Sequence, residues 1–237
     1  HSGFQRGQVF VQGQILHVIE IEDIQIFRVK AFWRAVWVKP IAAHPFEQIA
    51  IQRLDRVMID LADTLDIAVV EDAAYQTLRY DGDAIPPILA LEIARKGSIE
   101  NCRTLYCGSF SKSLAPGLRV GWICAAHDII SRLVLMKQAA DLHSSTVNQI
   151  VTHKVASTIF NAHVDTLRAT YMARRDHLLA ALAREMPQGV SWTQPEGGMF
   201  VWVTLPTGMD GADLLAQSLK TERVAFVPGR AFYADGS

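Results

Sequence analysis

From about residue 46 to its end the sequence alternates between helical and strand periodicities, which confines the fold to the α/β class, with helices packed on a sheet. Ile51, Leu54, Val57, Met58, Leu61 and Leu65 recur at helical spacing and lead directly into the strand-like run Ile67-Ala-Val-Val-Glu-Asp72. Two further short apolar runs, Thr104 to Cys107 and Leu118 to Cys124, suit buried strands. Asp128 to Leu142 predicts a helix with Ile129, Leu133, Met136 and Lys137 on its turns. Ser144 or Ser145 caps the next, which runs to about Phe160. A longer helix, Val164 to Glu185, stops before Pro187. After Gly189 the pattern reads strand (Phe200 to Thr204), helix (Gly211 to Lys220) and strand (Val224 to Val227), a small α+β unit. Residues 1–45 differ: they are rich in Ile, Val and Gln, with patchy alternation that allows one or two strands.

Composition removes several function classes. With 237 residues, half of them hydrophobic, the chain can bury a sizeable core. Its 23 basic and 24 acidic residues nearly cancel, and no Lys/Arg block marks a nucleic-acid or anionic-membrane surface, so a small-molecule partner is expected. Cys102, Cys107 and Cys124 are an odd number without CxxC spacing, which fits reduced thiols rather than a disulfide framework or zinc site. The eight scattered histidines form no HExxH pair, and no metal is assigned. The absence of a ~20-residue apolar run and of a signal-peptide pattern leads us to expect a soluble, cytoplasmic protein.

The segment richest in chemistry is Gly108-Ser-Phe-Ser-Lys-Ser-Leu-Ala-Pro-Gly-Leu-Arg-Val-Gly-Trp122. It places Lys112 in a loop between two buried strands, among small hydroxyl residues and seven positions before Arg119. Lysine forms Schiff bases with aldehydes, while Ser109, Ser111 and Arg119 offer hydroxyls and a forked cation to a phosphate. A solvated turn is the competing reading of the same loop. Asp72 ends a strand, where open α/β sheets place their ligands, and Tyr75 follows three residues later. A strand-end turn carboxylate and a half-buried packing aromatic are the plainer alternatives for this pair. Gly197-Gly198 is a tight turn or a close backbone approach, and Phe200, Trp192 and Trp202 are expected to pack the small domain's core.

Together these residues resemble the class I/II aminotransferases of PLP fold type I, nearest the branch of 2-aminoadipate, kynurenine and aromatic aminotransferases. The matching text is Val70-Glu-Asp-Ala-Ala-Tyr75 with Leu78-Arg-Tyr-Asp-Gly82, Gly108 to Trp122, Lys137-Gln-Ala-Ala-Asp-Leu-His143, Pro195-Glu-Gly-Gly-Met-Phe-Val-Trp202 and Val224-Ala-Phe-Val-Pro-Gly229. The resemblance covers residues 50–237. It implies a large domain with a mainly parallel sheet flanked by helices and part of a small α+β C-terminal domain. The divisions expected are 1–45 unassigned, 46–163 large domain, 164–186 connecting helix and 187–237 small domain. It further implies the cofactor pyridoxal 5′-phosphate, with Lys112 the catalytic Schiff-base lysine, Asp72 the partner of the pyridine nitrogen and Tyr75 the donor to the 3′-oxygen. Ser109, Ser111 and Arg119 become the phosphate ligands. Amino-acid and 2-oxo-acid substrates, ping-pong transamination and a homodimer follow by the same resemblance.

Three departures qualify it. Where the family has Asn-Pro-Thr-Gly, this chain reads Ile41-Ala-Ala-His-Pro-Phe-Glu-Gln-Ile-Ala50. Residues 1–45 show no Gly/Ser-rich phosphate loop and no ring-stacking aromatic in the family's pattern. The family's substrate-carboxylate arginine lies beyond the Val-Pro-Gly block, and Arg230 is too close to that block to match it. An incomplete or weakly active transaminase is therefore expected, with a non-catalytic aminotransferase-like domain, or the C-terminal domain of a MocR-type regulator, as alternatives.

Overall fold

The computed structural model describes residues 7–11, 14–19, 35–38 and 48–233, with side chains from residue 57 onward. A six-stranded sheet, in the order β1-β2-β6-β5-β4-β3, carries the fold. Its strands are β1 (Gly7–Val11), β2 (Gln14–Ile19), β3 (Ala35–Val38), β4 (Ala68–Asp72), β5 (Thr104–Ser109) and β6 (Gly121–Cys124). β3, β4 and β5 pair in parallel, β6 runs antiparallel to β5, and the β1–β2 hairpin adds antiparallel to β6. The parallel character thus sits at the β3–β5 side. Most of the stretch aligned with the family's Asn-Pro-Thr-Gly motif, residues 41–47, lies outside the described residues.

Helices cover both faces. α1 (Gln48–Leu65) and α2 (Ile88–Lys96) pack one side, where Ile59, Ala62, Ile67, Val69 and Ile88 form a buried cluster joined by Leu91. A second cluster on that side unites Leu89, Ile99, Cys102 and Cys124 with Tyr106 and Trp122. α3 (His127–Ala140) covers the other face, where Ile123, Ala125 and Ile130 meet Leu105 and Cys107. Strand alternation explains the division, since Tyr106 and Leu105 are neighbours in β5 and face opposite sides. Each fully buried aliphatic side chain here contributes roughly 1.5–3 kcal/mol.

Helix α4 (Thr146–Glu185) runs unbroken for 40 residues. The sequence pattern predicts two helices meeting near Phe160, but Phe160 to Val164 contains neither proline nor glycine, so nothing interrupts the backbone ladder. Ser145 caps it, its side chain accepting from the Asn148 amide. Beyond α4, β7 (Ser191–Trp192) pairs antiparallel with β8 (Val203–Thr204), and α5 (Gly211–Thr221) follows, capped by Asp210. The strand expected over Phe200 to Thr204 shrinks to its last two residues. The Thr193 hydroxyl takes the Trp202 amide at 3.0 Å. The strand expected at Val224 to Val227 does not form, and both valines are exposed. No helix among the described residues is long and apolar enough to cross a membrane.

Candidate active site

Asp72 and its neighbour Glu71 point to opposite faces of β4, and the sheet uses both. Glu71 turns toward α2, where its carboxylate accepts from the Ile88 amide at 3.0 Å and the Leu89 amide at 3.3 Å. It thus supplies the anionic partner that the start of α2 lacks in its own cap residue, Pro87. Asp72 closes the strand on the other face, beside Cys107 of β5. The Ala73 amide donates to the Cys107 carbonyl at 2.9 Å, fixing the turn that leaves the sheet. Within that turn the Ala74 amide donates to Asp72 Oδ1 at 3.3 Å.

Three residues on, Tyr75 adopts φ −110°, ψ 0°, the sparsely populated bridge region. Its ring faces two partners. The ammonium of Lys112 stands 5.9 Å from the ring centroid, and Phe200 packs edge-on with centroids 5.8 Å apart. Burial raises the Tyr75 phenol above its ordinary value, and the nearby Asp72 carboxylate adds to the shift, so the hydroxyl keeps its proton at neutral pH. Phe200 is thus not the core residue the sequence suggests. It is 67% exposed, with Tyr75 as its ring partner.

Lys112 reaches this point because β5 and β6 are antiparallel and the loop between them is internally bonded. At its entrance Gly108 lies against Trp122, whose ring atoms would stand 2.3 Å from a Cβ at that position. Ser109 Oγ accepts from the Ser111 amide at 3.0 Å, and the Leu114 amide donates to the Phe110 carbonyl at 2.8 Å. At its exit Arg119 is left-handed, φ 51°, ψ 50°, a conformation a non-glycine residue adopts at a cost of roughly 1–2 kcal/mol. α4 supports that turn, with Asn148 Nδ2 donating to the Leu118 carbonyl at 2.9 Å.

Of the six residues singled out by sequence, Asp72, Tyr75 and Lys112 come together at the C-terminal ends of β4 and β5. Ser109, the last residue of β5, and Ser111 and Lys112 in the loop that follows are half-buried, and Arg119 is exposed at that loop's far end. The set combines an amine, a strand-end carboxylate, a protonated phenol, two hydroxyls and a guanidinium, a donor inventory that fits a phosphorylated pyridine aldehyde.

The aminotransferase class I and II family is matched over residues 56–237. The chain belongs to that family. It is 39% identical over 202 residues to aromatic-amino-acid aminotransferase 1 of Thermococcus litoralis, an alignment covering 85% of this chain and 46% of that protein. It is similar to the α-aminoadipate aminotransferase of Thermus thermophilus, solved with N-(5′-phosphopyridoxyl)-L-leucine: TM-score 0.72, 36% identity, 78% of this chain and 46% of the other. The kynurenine aminotransferase of Pyrococcus horikoshii gives a TM-score of 0.76 at 37% identity, covering 86% and 49%. The chain spans about half the length of the relatives it matches.

Proposed function

We propose that this aminotransferase-family chain serves transamination between an amino acid and a 2-oxo acid, with pyridoxal 5′-phosphate as cofactor and Lys112 as its lysine. The observation that carries the reading is the Lys112 ammonium set over the Tyr75 ring beside Asp72, in a chain of this family. When bound, the cofactor supplies an aldehyde carbon and an electron-withdrawing ring that stabilises negative charge at a substrate Cα. Asp72 would hold a proton on the ring nitrogen by charge pairing, and Tyr75, protonated, would donate to the ring hydroxyl. Ser109, Ser111 and Arg119 would take the phosphate. The Lys112 amine would be the base that moves the substrate Cα proton.

Residues 46–163 form the large-domain part in this reading, 164–186 the connecting helix and 187–237 the small-domain part. Aromatic amino acids, 2-aminoadipate and kynurenine, which appear in the relatives' names, are the substrates to try first. A homodimer fits the large apolar side chains exposed on α3 and α4, among them Leu135, Met136, Val147 and Ile150. We expect turnover to be slow, since residues 41–50 carry no asparagine to contact the cofactor's ring.

The test is borohydride reduction of the protein after addition of pyridoxal phosphate, followed by peptide mapping and sedimentation. A phosphopyridoxyl group on Lys112 is the expected result, and modification of another lysine with Lys112 untouched overturns the assignment. Adding each candidate amino acid to the loaded, unreduced protein and following the cofactor absorbance then identifies the substrate.

A further inference from the structure

Two segments far apart in sequence, Tyr75 to Asp83 and Pro195 to Phe200, are bound to each other at several points. The amides of Tyr80 and Asp81 both donate to the Glu196 carbonyl at 3.0 Å, and the Gly198 amide donates to the Leu78 carbonyl at 3.0 Å. Arg79 pairs with the Glu196 carboxylate and donates from Nε to the Asp83 carbonyl at 2.6 Å. Gly197 lies so close that a Cβ there would stand 2.8 Å from Arg79 Cα. Arg175, three-quarters of the way along α4, closes the assembly. Its Nη1 bonds the Asp81 carboxylate at 2.5 Å and the Pro195 carbonyl at 2.8 Å, and its guanidinium lies 4.9 Å over the Tyr80 ring. Asp176 holds Nη2 at 2.7 Å, leaving the planar group oriented on both sides.

We infer that Arg175 is a positioning residue for the candidate site: by locking these two segments together it holds Phe200 edge-on against Tyr75, and so sets where Tyr75 stands under Lys112. The path is short. Leu78, whose carbonyl takes the Gly198 amide, donates its own amide to the Tyr75 carbonyl at 2.9 Å, and Phe200 lies two residues beyond Gly198. Arg175 touches neither Tyr75 nor Lys112, so it acts through the lock alone. The position is demanding because Nη1 serves a carboxylate and a carbonyl from different segments while Asp176 holds Nη2 and Nε of the same plane. Lysine can offer charge but not that planar set of donors.

The inference rests on the proposed role of Tyr75 and Lys112, and its test separates the two. Amide hydrogen exchange is measured on the full chain for wild type, Arg175→Lys and Arg175→Gln, with far-ultraviolet circular dichroism to confirm folding. The Tyr80, Asp81 and Gly198 amides are expected to exchange roughly tenfold faster or more in Arg175→Gln, with partial rescue in Arg175→Lys, while amides of β4 and β5 keep their protection. With pyridoxal phosphate added, the pH midpoint of the Lys112-linked absorbance is expected to move in Arg175→Gln. Unchanged protection at the three amides overturns the inference, as does lost protection with an unmoved midpoint. Should Arg175→Gln fail to fold, Asp81→Ala, which removes the carboxylate that Nη1 holds, takes its place with the same expectations. A wild type that accepts no cofactor at Lys112 overturns the proposed function, and the exchange arm still decides the lock.

Discussion

At the residue scale, the entrance to the Lys112 loop depends on a missing atom. Gly108 has the Trp122 ring where a side chain would begin, at 2.3 Å from the ideal Cβ, whereas Gly117 in the same loop has nothing within 4 Å. Gly108→Ala therefore forces the ring aside and should cost about 1–3 kcal/mol by overpacking, a fall in melting temperature of roughly 2–4 °C per kcal/mol. Gly117→Ala meets no neighbour and should be neutral or gain up to ~1 kcal/mol through the unfolded chain. Thermal melts of the pair check this, and equal effects would show that Trp122 does not confine the loop. The sequence displays Gly108 plainly but gives no sign that its neighbour is Trp122, fourteen residues on, because that depends on the antiparallel register of β5 and β6. The same limit hid Phe200: an aromatic in an apolar run reads as core, and only the tertiary contact shows it exposed against Tyr75.

Among the helices, α2 is the one the hydrophobic pattern misses. It spans only nine residues after Pro86-Pro87, and one of its three buried positions is a carboxylate. Glu92 is 1% exposed, accepts from the amides of Arg103 and Thr104 at 3.0 Å each, and pairs with Lys96 at 2.8 Å. It thereby brackets the start of β5 to the helix. Burial alone would raise its pKa, but Lys96 and the two amides outweigh burial and hold the carboxyl below its ordinary value. A depressed folded pKa means the bracket's stabilisation is present above the ordinary carboxylate range and is lost as pH falls through the folded value. Burial alone would lower the Lys96 ammonium, but Asp63 and Glu92 outweigh it and hold it above its ordinary value, so its share of the stabilisation is present below the ordinary lysine range and is lost as pH rises through the folded value. Glu92→Gln should cost about 2 kcal/mol at neutral pH, and the gap between variant and wild type should close as the buffer is taken to acid below the ordinary glutamate range. Urea melts at several pH values measure it, and a gap that persists in acid removes the ionic explanation. Elements with unbroken apolar periods were legible: α1, β4, β5, β6, α3, α5 and the Ser145 cap all stand within a few residues of where the pattern puts them.

For the molecule as a whole, α4 spaces three attachments along a rod of about 60 Å. Asn148 holds the Leu118 carbonyl at the Lys112 loop, Arg168 donates to the Thr77 carbonyl at 2.9 Å, and Arg175 reaches Asp81 and Pro195. No sequence rule links Arg175 to Asp81, 94 positions away, and the polar surface of a long helix gives no hint which of its arginines is committed. A single alanine inserted after Phe160 would rotate everything beyond it by about 100° and carry Arg168 and Arg175 off their carbonyls together, leaving Asn148 in place. The expected outcome is fast exchange at Tyr80 and Asp81 with the Lys112 loop still protected, and slow exchange at both would mean the helix absorbs the insertion. The rod therefore behaves as a fixed phase in the gene. Kindred chains are expected to differ in length in the surface turns 83–87 and 205–210, while an insertion or deletion between residues 148 and 175 would survive only with a compensating one nearby.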